Sequence, residues 1–262
     1  YVVYPGNHWP VHQHGHWDGY VIIKPLLHGD SIGIDEFSVV SASDFVSIGE
    51  RVERIQHEFD EPVLVERYIG GEGTRELTAP MLISHDGRVA GLPVTEIDLS
   101  QVALAQGKFR FLTHAIKQTE YHLKIPAELP PEIVRKIYSD AGRIIQAIGC
   151  KDMTRVDMRY DSTGLHYIEV NVDPGKDRFS SYLTAAAFSL GLDYAAIIAF
   201  IPYQGMLRYG LEPPSELKEL VKPVMALFNT AACLPAHPAL QSHKTPANTG
   251  FSGRAACAAR RD

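Results

Sequence analysis

Cysteine is scarce in this chain. Of 262 residues only three are Cys (Cys150, Cys233 and Cys257), odd in number and widely spaced. That arithmetic excludes a disulfide framework and the paired-cysteine zinc motifs, and it fits a reducing, cytoplasmic compartment. Long apolar runs are missing as well. The most apolar stretch, residues 195–201, falls far short of the roughly 20 residues a membrane span needs, so no membrane partner is expected. Basic charge is not in excess: 25 Lys and Arg stand against 31 Asp and Glu, a net charge of −6. That balance argues against nucleic acid as the main partner. The first residues lack a charged-then-apolar leader pattern, and Tyr1 is not an initiator methionine, so the chain is expected to begin inside a longer reading frame or to have lost its start.

What is present is an ordinary globular composition, 45% apolar and 21% charged, long enough for one large or two small domains. Residues 1–20 are rich in Gly, Pro, His and Trp and read as an irregular lead-in. His8, His12, His14 and His16 have only Asp18 nearby, so a loop is expected there rather than a metal tract. Residues 20–23 form a short strand ending at Lys24-Pro25, since proline stops a ladder. The loop that follows holds Gly29, Ser31 and Gly33, whose backbone N–H groups can approach an anion. The same pattern also describes any hairpin turn. A strand is expected over 37–40.

Residues 43–59 repeat Phe45, Ile48, Val52, Ile55 and Phe59 at helical spacing, with Ser43 as N-cap and Asp44 in the first turn. Residues 63–69 read as a buried strand, and 77–84 and 88–99 as two more around Asp86-Gly87. Residues 100–129 show no clear pattern. A helix over 130–148 carries the stripe Val134, Ile137, Ala141, Ile144 and Ile148 and stops at Gly149. Helices are also expected over 180–190 and 192–207, with a short one within 212–228. From Ala231 onward the composition cannot bury a core and reads as a mobile tail.

The chemistry concentrates in residues 152–175, DMTRVDMRYDSTGLHYIEVNVDPG. Period-2 alternation on both sides of Asp161-Ser162-Thr163-Gly164 reads as a hairpin. Arg155 and Asp157 share one strand face, and Glu169 and Asn171 share the facing one. Ile168, Val170 and Val172 are expected to make the opposite face apolar. Three oxygen ligands beside one guanidinium suit Mg²⁺ shared with a polyphosphate. The plainer reading is a solvated polar hairpin face.

In order along the chain stand Lys24-Pro25, the Gly loop, VLVERYI, a lysine before Ile125-Pro126-Ala127, and RVD, EVN and PG. This order resembles the ATP-grasp carboxylate–amine ligases, and among them the D-alanine–D-alanine ligase group. The resemblance runs from about Tyr20 to Gly205. It implies an α+β ATP-grasp fold, two α+β lobes whose antiparallel sheets enclose the nucleotide: a small lobe over 20–72, a large one over 73–228 and a tail over 229–262. It implies ATP and Mg²⁺ as cofactors, with Mn²⁺ as a substitute, amino-acid carboxylate and amine substrates, and a homodimer as the candidate assembly. Lys24 matches a lysine on the ATP phosphates, and Gly29, Ser31 and Gly33 the loop over the triphosphate. Backbone groups of Glu66 and Ile69 match the adenine contacts, with Arg67 nearby. Glu76 is the candidate for the ribose hydroxyls, with Glu72 in reserve. Lys117 matches a second phosphate lysine in an aromatic-rich loop. Asp157, Glu169 and Asn171 match the metal ligands, and Arg155 the residue that stabilises the tetrahedral intermediate. Gly175, Ser180 and Ser181 fall where the oxyanion and the second substrate's carboxylate are held.

Three departures accompany the match. So little chain precedes Lys24 that the family's N-terminal substrate domain is expected to be absent. Asp30 stands where the loop usually has serine, and Gln118 where a tyrosine usually follows the loop lysine. Two functional classes follow: an ATP-dependent ligase working through an acyl phosphate, or a nucleotide-binding relative without turnover.

Overall fold

Alternation along the early strands decides what each face meets. In Tyr20–Pro25 (β2) Val21 and Ile23 are buried, and in Val63–Arg67 (β4) so are Val63 and Val65. Ile22, Lys24, Leu64 and Glu66 therefore point to the other side of the same antiparallel pair. The computed structural model of the protein describes residues 2–4, 18–102, 108–113, 117, 122–229 and 233–234. The first sheet has four strands in the order Val2–Tyr4 (β1), β4, β2 and Val39–Ser41 (β3). Helix α1, Phe45–Phe59, covers its buried face with Ile48, Val52 and Ile55.

The second sheet has seven strands. Arg75–Ile83 (β5) is its axis, paired with Asp152–Asp161 (β9) on one side and with Val89–Gly91 (β6) and Thr95–Asp98 (β7) on the other. Gly164–Asn171 (β10) extends beyond β9, His122–Lys124 (β8) pairs with β7, and Cys233–Leu234 (β11) pairs with β6. Pro80 lies inside β5, where a central strand normally cannot spare an N–H. Here β5 meets β7 through Glu76–Thr78 and β6 through Met81–Ile83, and Pro80 falls in the changeover. Its carbonyl accepts from Leu92 N on that side at 3.0 Å, so the missing N–H costs no ladder bond.

One face of this sheet buries Leu77, Ala79, Val156 and Met158 against helix α2, Pro131–Ile148. On the other face Leu82, Ala90 and Met153 pack under α3 (Tyr182–Ser189), α4 (Tyr194–Arg208) and α5 (Ser215–Ala226). The rest of that face is left to the cleft. Among the described residues no single helix is long and apolar enough to cross a membrane.

Several expectations need correction. The N-cap of α1 is Asp44, whose carboxylate accepts from Ser47 N at 3.1 Å, and not Ser43; Phe45 is exposed. The span 88–99 is two strands because Pro93 interrupts the ladder between β6 and β7. The strand begun at Val63 stops at Arg67, leaving Tyr68 and Ile69 as a connector. On α2 Ile137 and Ala141 are buried as expected, but Ile145 is the buried residue of the next turn, while Ile148 is exposed. Ser180 precedes α3, which is capped by Ser181. The lead-in contributes β1, and Cys233–Leu234, expected within a tail, forms β11. The clustered histidines and the remaining tail lie outside the described residues.

The largest correction concerns Ile168. Leu165, Tyr167 and Val170 pack into the core opposite Tyr160, Met158 and Val156. The register jumps from Tyr167↔Met158 to Glu169↔Asp157, so Ile168 is the extra residue of a bulge. It is 37% exposed, and Val172 is 56% exposed, so neither supports the apolar face. The bulge puts Ile168 and Glu169 on the same side.

Candidate active site

A cavity of about 270 Å³ lies between the polar face of the small sheet and the open face of the large one. Lys24, Glu66, Arg67 and Ile69 line it from the small sheet and its connector, and Glu76, Arg155, Asp157 and Glu169 from the large one. Strand register assembles the floor: Asp157 faces Glu169 and Arg155 faces Asn171 across the hairpin. Arg155 Nε donates to both Asp157 oxygens, at 2.9 and 3.1 Å. Its guanidinium lies 5.0 Å above the Tyr182 ring. Asp157 Oδ1 also accepts from Thr78 Oγ1 at 2.6 Å. With its amide oriented to satisfy both ends, Asn171 accepts from Arg155 Nη2 at 3.2 Å and donates to the Asp173 carbonyl at 3.2 Å.

The charges in the cleft act on one another. Glu169 is exposed along the cleft, whose walls bury its carboxyl only in part. That burial, followed by the neighbouring Asp157 charge, holds its carboxyl above the usual range, while Lys24, Lys117 and Arg155 pull the other way. Burial opposes the charge on Arg155, and Asp157 more than restores it. Lys24 Nζ pairs with Glu66 at 2.6 Å, and Lys117 Nζ with Asp30 at 3.3 Å.

The loop over the cleft is tied down at both ends. Glu61 accepts from Leu27 N at 3.0 Å and pairs with His28 Nδ1 at 2.8 Å. Arg51, buried on α1, donates to Gly33 O at 2.9 Å, Asp35 at 2.9 Å and Ser38 Oγ at 3.0 Å. Asp30, Ser31 and Gly33 all have positive φ, at 55°, 58° and 74°. At Gly33 glycine is also a packing requirement, because a Cβ there would meet Pro25 Cγ at 2.5 Å.

The family model described as D-ala D-ala ligase C-terminus matches residues 10–201. The chain belongs to this family. A D-alanine–D-alanine ligase of Syntrophotalea carbinolica is 32% identical over 189 residues, 72% of this chain and 55% of the relative. That of Sinorhizobium fredii is 33% identical over 157 residues, 59% of this chain and 46% of the relative. The chain therefore spans about half the length of the curated relatives it matches. Among solved structures, a D-alanine–D-alanine ligase from Bacillus anthracis gives a TM-score of 0.54 at 21% identity, covering 73% of this chain and 55% of that one. The same enzyme complexed with ATP gives 0.52 at 22% identity, covering 73% and 54%. The fold is thus the α+β ATP-grasp fold.

Within this ligase-family fold the expected residues do not all converge. Lys24, Gly29, Ser31, Glu66, Arg67, Ile69, Glu76, Lys117, Arg155, Asp157 and Glu169 line the cavity, whereas Gly33, Asn171, Gly175 and Ser180 do not. Gly175 O accepts from Ser181 Oγ, and Ser180 Oγ donates to Asp177 at 3.1 Å. Glu72 lines a neighbouring cavity and not this one, whereas Glu76 lines both. Gln118 lies outside the described residues.

The donor set fits a hard divalent cation. Asp157 and Glu169 are direct cross-strand neighbours whose repulsion a cation would relieve, and every donor is oxygen. Among the described residues no three His, Cys, Asp or Glu side chains converge, so the third protein ligand would be the Asn171 amide. Sequence reasoning missed Thr78, Ile168 and Tyr182. Thr78 follows Glu76 by two in β5, and that alternation was the available signal.

Proposed function

We propose that this chain carries the nucleotide-binding and acyl-transfer half of an ATP-dependent carboxylate–amine ligase of the D-alanine–D-alanine type. The observation that carries the reading is the opposition of Lys24 and Lys117 to Asp157 and Glu169 across one cleft, near enough for both ammonium groups to act on Glu169. A carboxylate is a poor electrophile, and phosphoryl transfer to it needs positioning and charge neutralisation more than covalent help. Lys24 and Lys117 serve the phosphates. Asp157, Glu169 and Asn171 would hold Mg²⁺, or Mn²⁺ in its place, which supplies further neutralisation on phosphate oxygens. Glu66 and Ile69 offer backbone groups to adenine beside Arg67, and Glu76 takes the ribose hydroxyls. Gly29, Ser31 and Gly33 close the loop and keep water from a hydrolysable acyl phosphate. When the amine attacks, Arg155 meets the oxyanion with Gly175, and Ser180 lies on the second substrate's side. Removing one such donor costs roughly 10²–10³ in rate.

The test is phosphate release from Mg-ATP with and without a panel of D-amino acids, with mass spectrometry of the products. Release that depends on the amino acid, together with a dipeptide product, is expected. Mg-ATP binding without any such release would sink the ligase reading. It would leave a nucleotide-binding relative without turnover, a reading favoured by the Asp30 carboxylate that occupies Lys117.

A further inference from the structure

Arg159 lies on the same inward stripe of β9 as Arg155 and Asp157, two residues beyond the latter, and the reading above gives it no task. Its side chain is 11% exposed. Nη1 donates to the Ile69 carbonyl at 2.5 Å, and Nη2 to Glu76 Oε2 at 2.9 Å. The guanidinium carbon sits 5.2 Å above the Tyr68 ring. One planar group therefore touches the connector between the sheets, the carboxylate at the start of β5 and the aromatic residue between them.

The backbone puts it there. Glu76 and Arg159 are directly opposed across β5 and β9, so their pairing follows from the register. Tyr68 is fixed in turn, its hydroxyl donating to Arg110 O at 3.2 Å and its ring packed edge-on against Phe109. Gly70 completes the fit, because a Cβ there would meet the Tyr68 ring at 2.2 Å. With the Ile69 carbonyl engaged, the Ile69 N–H finds no acceptor among the described residues and stays available to a ligand. A guanidinium fork can hold a carbonyl and a carboxylate at fixed angles together, which an ammonium cannot.

We propose that Arg159 is the positioning residue for the base-and-sugar end of the nucleotide, locking Glu76 and Ile69 into one unit so that selection for the ribose hydroxyls is set by Arg159 acting through Glu76. This rests on the nucleotide reading of the cleft. A carboxylate held in one rotamer before binding loses no further freedom on meeting the sugar, so its hydrogen bonds appear in full as affinity.

The experiment uses the full chain as wild type, R159K, R159L, E76Q and the R159L/E76Q double variant, each checked for an intact thermal transition. Equilibrium titrations with ATP, 2′-deoxy-ATP and inorganic tripolyphosphate follow, all with Mg²⁺. Wild type should prefer ATP over 2′-deoxy-ATP by about tenfold, as a hydrogen bond to a charged group implies. R159L should bring that ratio near one and leave tripolyphosphate binding unchanged, and E76Q should do the same with no further loss in the double variant. R159K should lower the ratio with its melting temperature close to wild type; this variant decides the matter if R159L does not fold. An unchanged ratio in R159L or R159K, or a parallel loss of tripolyphosphate affinity, overturns the proposal alone. Wild type that binds no Mg-ATP overturns the nucleotide reading and the proposal with it. Wild type that binds ATP and its 2′-deoxy form equally removes the sugar role of Glu76 and again the proposal.

Discussion

Replacing Asp30 with serine should tighten Mg-ATP binding. Its carboxylate is 3.3 Å from Lys117 Nζ, the group read as a phosphate contact. Two unit charges at that distance attract by about 1.3 kcal/mol in bulk water and about 5 kcal/mol at an effective dielectric of 20. Asp30 is 60% exposed, which places the pair near the watery limit, so a net value of about 1 kcal/mol is appropriate. The cavity, about 270 Å³, is slightly smaller than the roughly 300–1,000 Å³ usual for ligand sites. Admitting a triphosphate thus means parting Asp30 from Lys117, and the displaced carboxylate then repels the phosphates. Removing it should lower the Kd for Mg-ATP about fivefold, the equivalent of about 1 kcal/mol. Isothermal titration at low salt and again in several hundred millimolar salt is the assay. The gain should shrink at high salt as screening shortens the reach of the charge, and the melting temperature should barely move. Unchanged affinity at low salt would refute the reasoning. Weaker binding would refute it more sharply, because Asp30 would then be helping to hold the cation.

Three other outcomes are expected. Glu169→Gln should abolish the Mg²⁺-dependent rise in melting temperature with ATP while leaving the metal-free protein as stable or slightly more so, since it removes the repulsion from Asp157; paired thermal melts check both. Gly91→Ala should destabilise by about 1–3 kcal/mol in urea unfolding, because the new methyl would lie 2.4 Å from the Tyr138 ring, which is pinned by its hydroxyl to Leu92 O at 2.8 Å. The Asp161 carboxyl, bonded first by the Thr163 hydroxyl and also by the Thr163 N–H and His166, is lowered from 3.8 to about 2. Its stabilisation is present above the unfolded value and lost as pH falls through about 2. Asp161→Asn should therefore be less stable than wild type at neutral pH, with the gap closing between about pH 4 and 2 in acid-unfolding curves.

The chemistry of the hairpin was legible because charged residues at i, i+2 on two strands can face each other in few ways. The Asp161–Gly164 turn brings Arg155 and Asp157 beside Glu169 and Asn171, but only with the extra residue at Ile168 do the two pairs share a face. Thr78 and Arg159 were not legible as partners of that site. Alternation puts Thr78 on the face of Glu76, but the roles of Thr78 and Arg159 depend on how β5 registers with β9, strands separated by β6, β7, β8 and α2, and no local pattern carries that register. The bulge was hidden for a different reason: isoleucine suits a core face and a cleft wall equally well, so IEVNV reads as clean alternation. Likewise Ser43 and Asp44 are both good caps, and only backbone geometry chooses Asp44. Pro93 did carry a signal, and the length of the apolar stretch around it obscured the break. The order of elements was readable from helical and strand periods, while strand partners such as β1 and β11 were not.

The extra residue at Ile168 makes the hairpin a counting device. From the turn to Tyr167 odd-numbered residues face the core, and past the bulge the even-numbered Val170 does. The side on which Glu169 and Asn171 emerge thus depends on the parity of the residues between them and the turn. Lengthening β10 by two residues would preserve the arrangement, whereas adding or deleting one would send both oxygen ligands into the core. Such a hairpin can drift in length only in even steps, unless a second bulge arises alongside the first.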